Sequence, residues 1–135
     1  MLQAFSNNSP YKKRARFAAI LWTLLIFVLC LMPGKEIPDV NVPFIDKWTH
    51  LILFGGFSFL WLCAYPTRRF AFTVPLFLIA AFLGWLTETL QGMFPSLGRT
   101  KDVMDMLADG IGATIGIILF CLLYIRTEKL KANVK

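Results

Sequence analysis

The chain has 135 residues, of which 57% are hydrophobic and only 16% charged, with a net charge of +6 and a mean hydropathy of +0.63. A soluble domain carries roughly 25% charged residues, so this composition excludes an ordinary water-facing surface and makes lipid the solvent for much of the chain. The positive charge does not point to nucleic acid, because the basic residues flank apolar runs instead of forming a hydrophilic face.

Four apolar segments are predicted as helices, Phe17–Met32, Trp48–Tyr65, Phe70–Leu90 and Met104–Ile125. Each is close to the roughly 20 residues that cross a bilayer, and open sheet edges are intolerable there. The expected fold is therefore all-α, a polytopic bundle of four transmembrane helices. The first segment is preceded by Lys12-Lys13-Arg14-Ala15-Arg16 and ends at Met32-Pro33-Gly34. With no A-x-A-like site after it, it is expected to be a retained span and not a cleaved leader. Pro75 is expected to kink the third segment or to mark its first turn. Residues 1–16 then form a basic N-terminal segment, 17–125 the membrane domain and 126–135 a basic tail.

Ten of the fourteen Lys and Arg residues lie on one side of this arrangement: Lys12, Lys13, Arg14, Arg16, Arg68, Arg69, Arg126, Lys129, Lys131 and Lys135. Lys35, Lys47, Arg99 and Lys101 lie on the other. By the positive-inside rule both termini are expected to be cytoplasmic in a multi-pass membrane protein. The acids are distributed in the opposite sense. Glu36, Asp39, Asp46, Glu88, Asp102, Asp105 and Asp109 lie outside, and only Glu128 inside. Topology depends little on acidic residues, so this asymmetry needs a separate cause.

The outer ends of the helices hold the side chains with chemistry. Asp46 and His50 are four residues apart and share a helix face. Glu88 and Gln91 close the third segment, above Gly84. Asp102, Asp105, Asp109, Gly112 and Gly116 form one stripe down the fourth, acidic at the surface and glycine deeper in. Asp46 and Asp102 are candidate helix caps. Asp109 lies too far into its helix for the dipole to account for it, and Glu88 sits near a C-terminus that disfavours an anion. Glu88 therefore requires a partner, for which Arg99, Lys47 and His50 are available. At 1.5 Å per residue, Asp109 stands roughly 25 Å above Arg126, near the outer edge of a hydrocarbon core about 30 Å thick. Ionisable groups at that depth are costly and mark functional sites. The Gly112-x-x-x-Gly116 pair predicts close helix packing. Cys30, Cys63 and Cys121 lack metal or disulfide spacing and are read as small apolar residues. Trp22, Trp48, Trp61 and Trp85 are read as interface or packing residues.

In order along the chain, Asp46-Lys47-x-x-His50, Glu88-x-x-Gln91, Pro95, Arg99, Asp105, Asp109, Gly112 and Gly116 resemble the pattern of the VanZ-like family of small membrane proteins. Many relatives carry Asn where this chain has Asp109. The resemblance implies a role in the bacterial cell envelope, and the family takes its name from a gene associated with resistance to the glycopeptide teicoplanin. It implies no established biochemical activity.

Two functions remain open from the residues, and with them whether the protein is an enzyme. The first is a binding protein for a lipid-linked or peptidoglycan-related headgroup, with Lys47, Gln91, Arg99 and Asp109 as headgroup-binding candidates. There Lys47, Arg99 and Lys101 would face phosphates, while Glu88, Asp105 and Asp109 would accept hydroxyls or amines. The second is a membrane-embedded metal-dependent hydrolase or transferase, in which Asp46, His50, Glu88, Asp105 and Asp109 supply ligands for a divalent metal. No H-E-x-x-H and no nucleophilic Ser or Cys setting accompany them. A transporter ranks last, since no acid reaches mid-membrane and no inverted repeat is visible. Membrane lipid is the expected partner, nucleic acid is not, and an oligomer is compatible with the sequence.

Overall fold

The structure, a computed structural model, describes residues 5, 9–36, 42–94, 96 and 98–133. Four helices follow in chain order, α1 (Lys12–Cys30), α2 (Ile45–Ala64), α3 (Phe70–Met93) and α4 (Val103–Ala132), with a single 3-10 turn at Gly34–Glu36 between the first two. No strand occurs among the described residues. Pro95, Asp39 and Lys135, named above, lie outside the described residues.

Helix boundaries depart from the apolar segments in ways the residues explain. α1 starts at Lys12, five residues before the apolar run, because Lys and Arg are good helix formers. It stops just short of Pro33 and Gly34. α3 runs without interruption through Pro75 to Met93, so the proline neither starts nor ends the helix. α4 extends past Ile125 to Ala132 and carries Lys129 and Lys131 in its last turn, where cations complement the dipole. Asp102 is the N-cap of α4, its side chain accepting from the Met104 N–H at 2.8 Å. Asp46 is not a cap. Phe44 occupies that place in α2, in the left-handed region at φ 57°, and Asp46 lies one residue inside the helix.

α2 is the central helix, packed on α4 over the longest interface and flanked by α1, while α3 closes the bundle mainly against α4. Glycine sets the α2–α4 approach. A methyl group added at Gly112 would strike the Leu51 carbonyl, and one at Gly116 the Gly55 carbonyl. The helices therefore cross almost backbone to backbone, as small-xxx-small pairs allow. On the other flank the Trp22 ring lies over Gly56, and its Nε1–H donates to the Leu53 carbonyl at 2.7 Å. Trp61 reciprocates from α2 by donating to Thr23 Oγ1 at 3.2 Å. The apolar core comprises Ile26, Leu53, Phe54, Phe57, Leu62, Leu76, Ala80, Ala113 and Phe120, with Cys30 among them.

The surface is inverted relative to a water-soluble protein. Phe17, Leu24 and Val28 on α1, Val74, Leu78 and Phe82 on α3, and Leu107, Ile111, Ile118 and Leu122 on α4 are all exposed, whereas His50, Glu88, Gln91, Asp105 and Asp109 are buried. α3 and α4 are each long and apolar enough to cross a membrane. The ends of the bundle differ in charge. At one end Arg16 lies over the Tyr65 ring and Arg68 over the Tyr124 ring. At the other, the start of α2 meets the end of α3 and the start of α4, and the acids collect there.

Candidate functional site

The acidic end is built from α2, α3, α4 and the segment before α4, with the last turn of α1 beneath. The four-residue spacing of Asp46 and His50 turns both toward α4, and the four-residue spacing of Asp105 and Asp109 turns both toward α2. His50 Nδ1 lies 2.9 Å from Asp109 Oδ1, and His50 Nε2 lies 3.8 Å from Glu88 Oε1. His50, Glu88, Asp105 and Asp109 are each at most 2% exposed. Gly84 on α3 makes room for this pair, since a methyl there would overlap the Asp109 carboxylate.

Above this buried layer is a half-exposed rim. Lys47 Nζ reaches Asp102 Oδ2 at 2.5 Å and Asp105 Oδ1 at 2.9 Å, with Asp46 Oδ2 at 3.7 Å. Partial burial alone would lower the Lys47 pKa, but its hydrogen bonds to Asp102 and Asp105 and their charges outweigh that and hold the ammonium above its ordinary range. The same bond from Lys47, together with the Met104 N–H, holds the Asp102 carboxyl below the usual carboxylate range. Arg99 donates to Asp46 Oδ1 at 3.0 Å and, through its other terminal nitrogen, to the Cys30 carbonyl at 3.1 Å. Gln91 Nε2 donates to that same Cys30 carbonyl at 2.6 Å. The open C-terminus of α1, whose carbonyls lack helical partners, is thereby capped by side chains from two other parts of the chain.

The residues singled out as site candidates thus come together: Asp46, Lys47, His50, Glu88, Gln91, Arg99, Asp105 and Asp109 lie in one connected network, and Asp102 joins it. Of the three residues expected to compensate Glu88, His50 stands beside it, with Nε2 3.8 Å from Oε1, and Arg99 and Lys47 do not. The Asp102 backbone N–H donates to Glu88 Oε2 at 2.8 Å, so the entry to α4 satisfies one oxygen of the carboxylate at the end of α3. No sequence signal marks that donor, nor the Cys30 carbonyl, because every residue carries a backbone.

Chemically the network is rich in acceptors. Glu88 Oε1 and Asp109 Oδ2 are buried without a hydrogen-bond partner among the described residues, whereas Lys47 and Arg99 are both engaged by carboxylates. Ligand atoms of Asp46, His50 and Asp105 lie within 4.8 Å of one another, close enough to share a cation. Beside Lys47 an apolar groove of about 340 Å³ runs down between α2 and α4, lined by Phe44, Lys47, Trp48, Leu51, Met104, Leu107, Ala108 and Ile111. A second apolar cleft of about 360 Å³, which includes Thr23, Trp61, Tyr65 and Pro75 in its lining, lies toward the basic end and touches none of these groups.

With this geometry in place, comparison with known proteins is informative at the level of family. The VanZ/LLP1 family model matches residues 3–124, nearly the whole chain. The protein therefore belongs to the VanZ/LLP1 family. No curated protein and no solved structure matches it.

Proposed function

We propose that this VanZ/LLP1 family member is a multi-pass protein of the bacterial cytoplasmic membrane, spanning it four times with both termini inside. In this reading it binds the headgroup of a lipid-linked or peptidoglycan-related envelope component at the outer ends of its helices. A link to glycopeptide resistance of the teicoplanin type belongs to the same reading and comes with the family's name.

The observation that carries it is the pairing of unpartnered acceptors with cations already in use. Buried polar groups are ordinarily hydrogen-bonded, so Glu88 Oε1 and Asp109 Oδ2 call for a donor from outside the chain. Hydroxyls and amines of a headgroup supply such donors. A phosphate on the same headgroup would meet Lys47 and Arg99 only by competing with Asp46, Asp102 and Asp105. The apolar groove below Lys47 supports a lipid-linked ligand, because a polar rim directly above an apolar channel matches an amphiphile.

The test is native mass spectrometry of detergent-purified protein beside Asp109→Ala and Arg99→Ala variants, with glycopeptide susceptibility of the expressing cells measured in parallel. The expected result is an envelope lipid retained by the wild type and depleted in both variants. Variants that retain the same lipids and give the same susceptibility as wild type would end this reading.

A further inference from the structure

The acidic end holds more negative charge than its own cations neutralise. Five carboxylates, from Asp46, Glu88, Asp102, Asp105 and Asp109, surround two permanent cations, Lys47 and Arg99, and one imidazole. Much of that charge is out of water, where an uncompensated anion is expensive.

The imidazole shows where a compensating charge belongs. An ionised Asp109 can only accept, so the proton facing Oδ1 is on Nδ1, and in the neutral imidazole the lone pair is then on Nε2. That lone pair points toward Glu88 Oε1 at 3.8 Å, too long for a hydrogen bond and unfavourable for two electron-rich atoms with nothing between them. Glu88 is wholly buried, and that oxygen has no hydrogen-bond partner among the described residues. Two ligands at about 2.0–2.2 Å from one metal ion stand near this separation when the nitrogen–metal–oxygen angle is bent.

We propose that the acidic end is a divalent-metal site in which His50 Nε2, Asp46 and Asp105 ligate the ion, Glu88 joins them, and Asp109 holds the imidazole in the ligating tautomer. A carboxylate behind a metal-bound imidazole is the usual means of fixing that tautomer. One imidazole among carboxylates favours a first-row ion such as Zn²⁺ over Ca²⁺ or Mg²⁺. Lys47 contacts Asp105 Oδ1, so it competes with the ion for that oxygen. The proposal concerns the same cluster as the headgroup reading but does not depend on it, because metal uptake is measured with no lipid added. The rival is a second proton on His50, which would make the imidazolium a structural bridge between Asp109 and Glu88.

The experiment uses the full-length, tag-free protein in detergent, stripped by chelator and titrated with Co²⁺ alone while its visible d–d absorption is followed. The expected result is one Co²⁺ per chain, displaced by Zn²⁺. Binding should be at least tenfold weaker in Asp46→Asn and His50→Gln, roughly 10–100-fold weaker in Asp109→Asn, and severalfold tighter in Lys47→Met. Asp46 is partly exposed, so its variant keeps the test decisive if His50→Gln does not fold, and circular dichroism verifies each. Absence of stoichiometric Co²⁺ uptake by the wild type, or unchanged uptake by Asp46→Asn, overturns the proposal. A wild type that retains an envelope lipid yet takes up no Co²⁺ overturns this inference while sparing the headgroup reading.

Discussion

Replacing glycines by alanine along the α2–α4 contact gives a graded series whose order follows from geometry. A methyl at Gly112 or Gly116 meets a backbone carbonyl of α2 well inside van der Waals contact. Backbone cannot rotate aside as a side chain can, so the two helices must separate along their main interface. Overpacking of this kind costs about 1–3 kcal/mol, and with backbone on both sides the expectation for Gly112→Ala and Gly116→Ala is the upper half of that range. At Gly55 the added atom would lie 3.1 Å from the Gly112 carbonyl oxygen. A shift of a few tenths of an ångström relieves that, so about 1 kcal/mol or less is expected. Gly110 is the internal control, since nothing lies within 4 Å of its added methyl. There the better helix propensity of alanine predicts a neutral change or a gain of up to about 1 kcal/mol. The double variant Gly112→Ala/Gly116→Ala should cost less than the sum of the singles, because one separation relieves both clashes. Reversible unfolding in mixed detergent and SDS micelles, followed by circular dichroism and tryptophan fluorescence, measures each value. The reasoning is wrong if Gly110→Ala costs as much as Gly112→Ala, or if Gly112→Ala is indistinguishable from wild type.

Asp109→Ala should destabilise by about 1–3 kcal/mol, because it strands a buried imidazole N–H. Asp109→Asn keeps an acceptor and should cost less than half as much in the same assay, and equal costs would show that the Nδ1 bond contributes nothing. The Asp102 carboxyl is held below its ordinary value of 3.8 by Lys47 and the Met104 N–H, so its contribution is complete above that pH and is lost as pH falls through the lowered value. Stability of the wild type should therefore fall more steeply below pH 3.8 than that of Asp102→Asn, and superimposable acid limbs would contradict the assignment. For topology, Lys35→Cys in whole cells should react with an impermeant maleimide while Asn133→Cys should react only after lysis. The opposite pattern would invert the orientation.

The four helices and the membership of the acidic network were legible because both leave periodic marks in the residue string. Long apolar runs set the helices, and spacings of three and four put Asp46 with His50 and Asp105 with Asp109 on facing stripes. The glycine stripe of α4 was visible for the same reason. Its counterpart Gly55 was not, because the carbonyl it exposes to Gly116 belongs to a crossing geometry that no single helix encodes. Of the expected partners of Glu88 only His50 stands beside it, and the hydrogen bond it makes comes from a backbone N–H, which every residue except proline carries. The start of α2 was misplaced as well: Asp46 has the composition of a cap, but Phe44 takes the position with a left-handed backbone. Pro75 was expected to kink α3 or to mark its first turn, and the helix begins before it at Phe70 and continues through it to Met93, with one hydrogen bond near the helix start lost.

The doubly occupied carbonyl of Cys30 has a mechanical meaning. α1 contributes no Asp, Glu, Lys, Arg or His side chain to the acidic end, yet Gln91 from α3 and Arg99 from the segment before α4 both grip its last turn, and Arg99 continues to Asp46 on α2. α1 carries its own basic residues, Lys12 to Arg16, at its opposite end. One oxygen at the end of α1 thus fastens α1 to α3 and, through Arg99, to α2, and the helix that looks like a bystander becomes part of the frame of the acidic end.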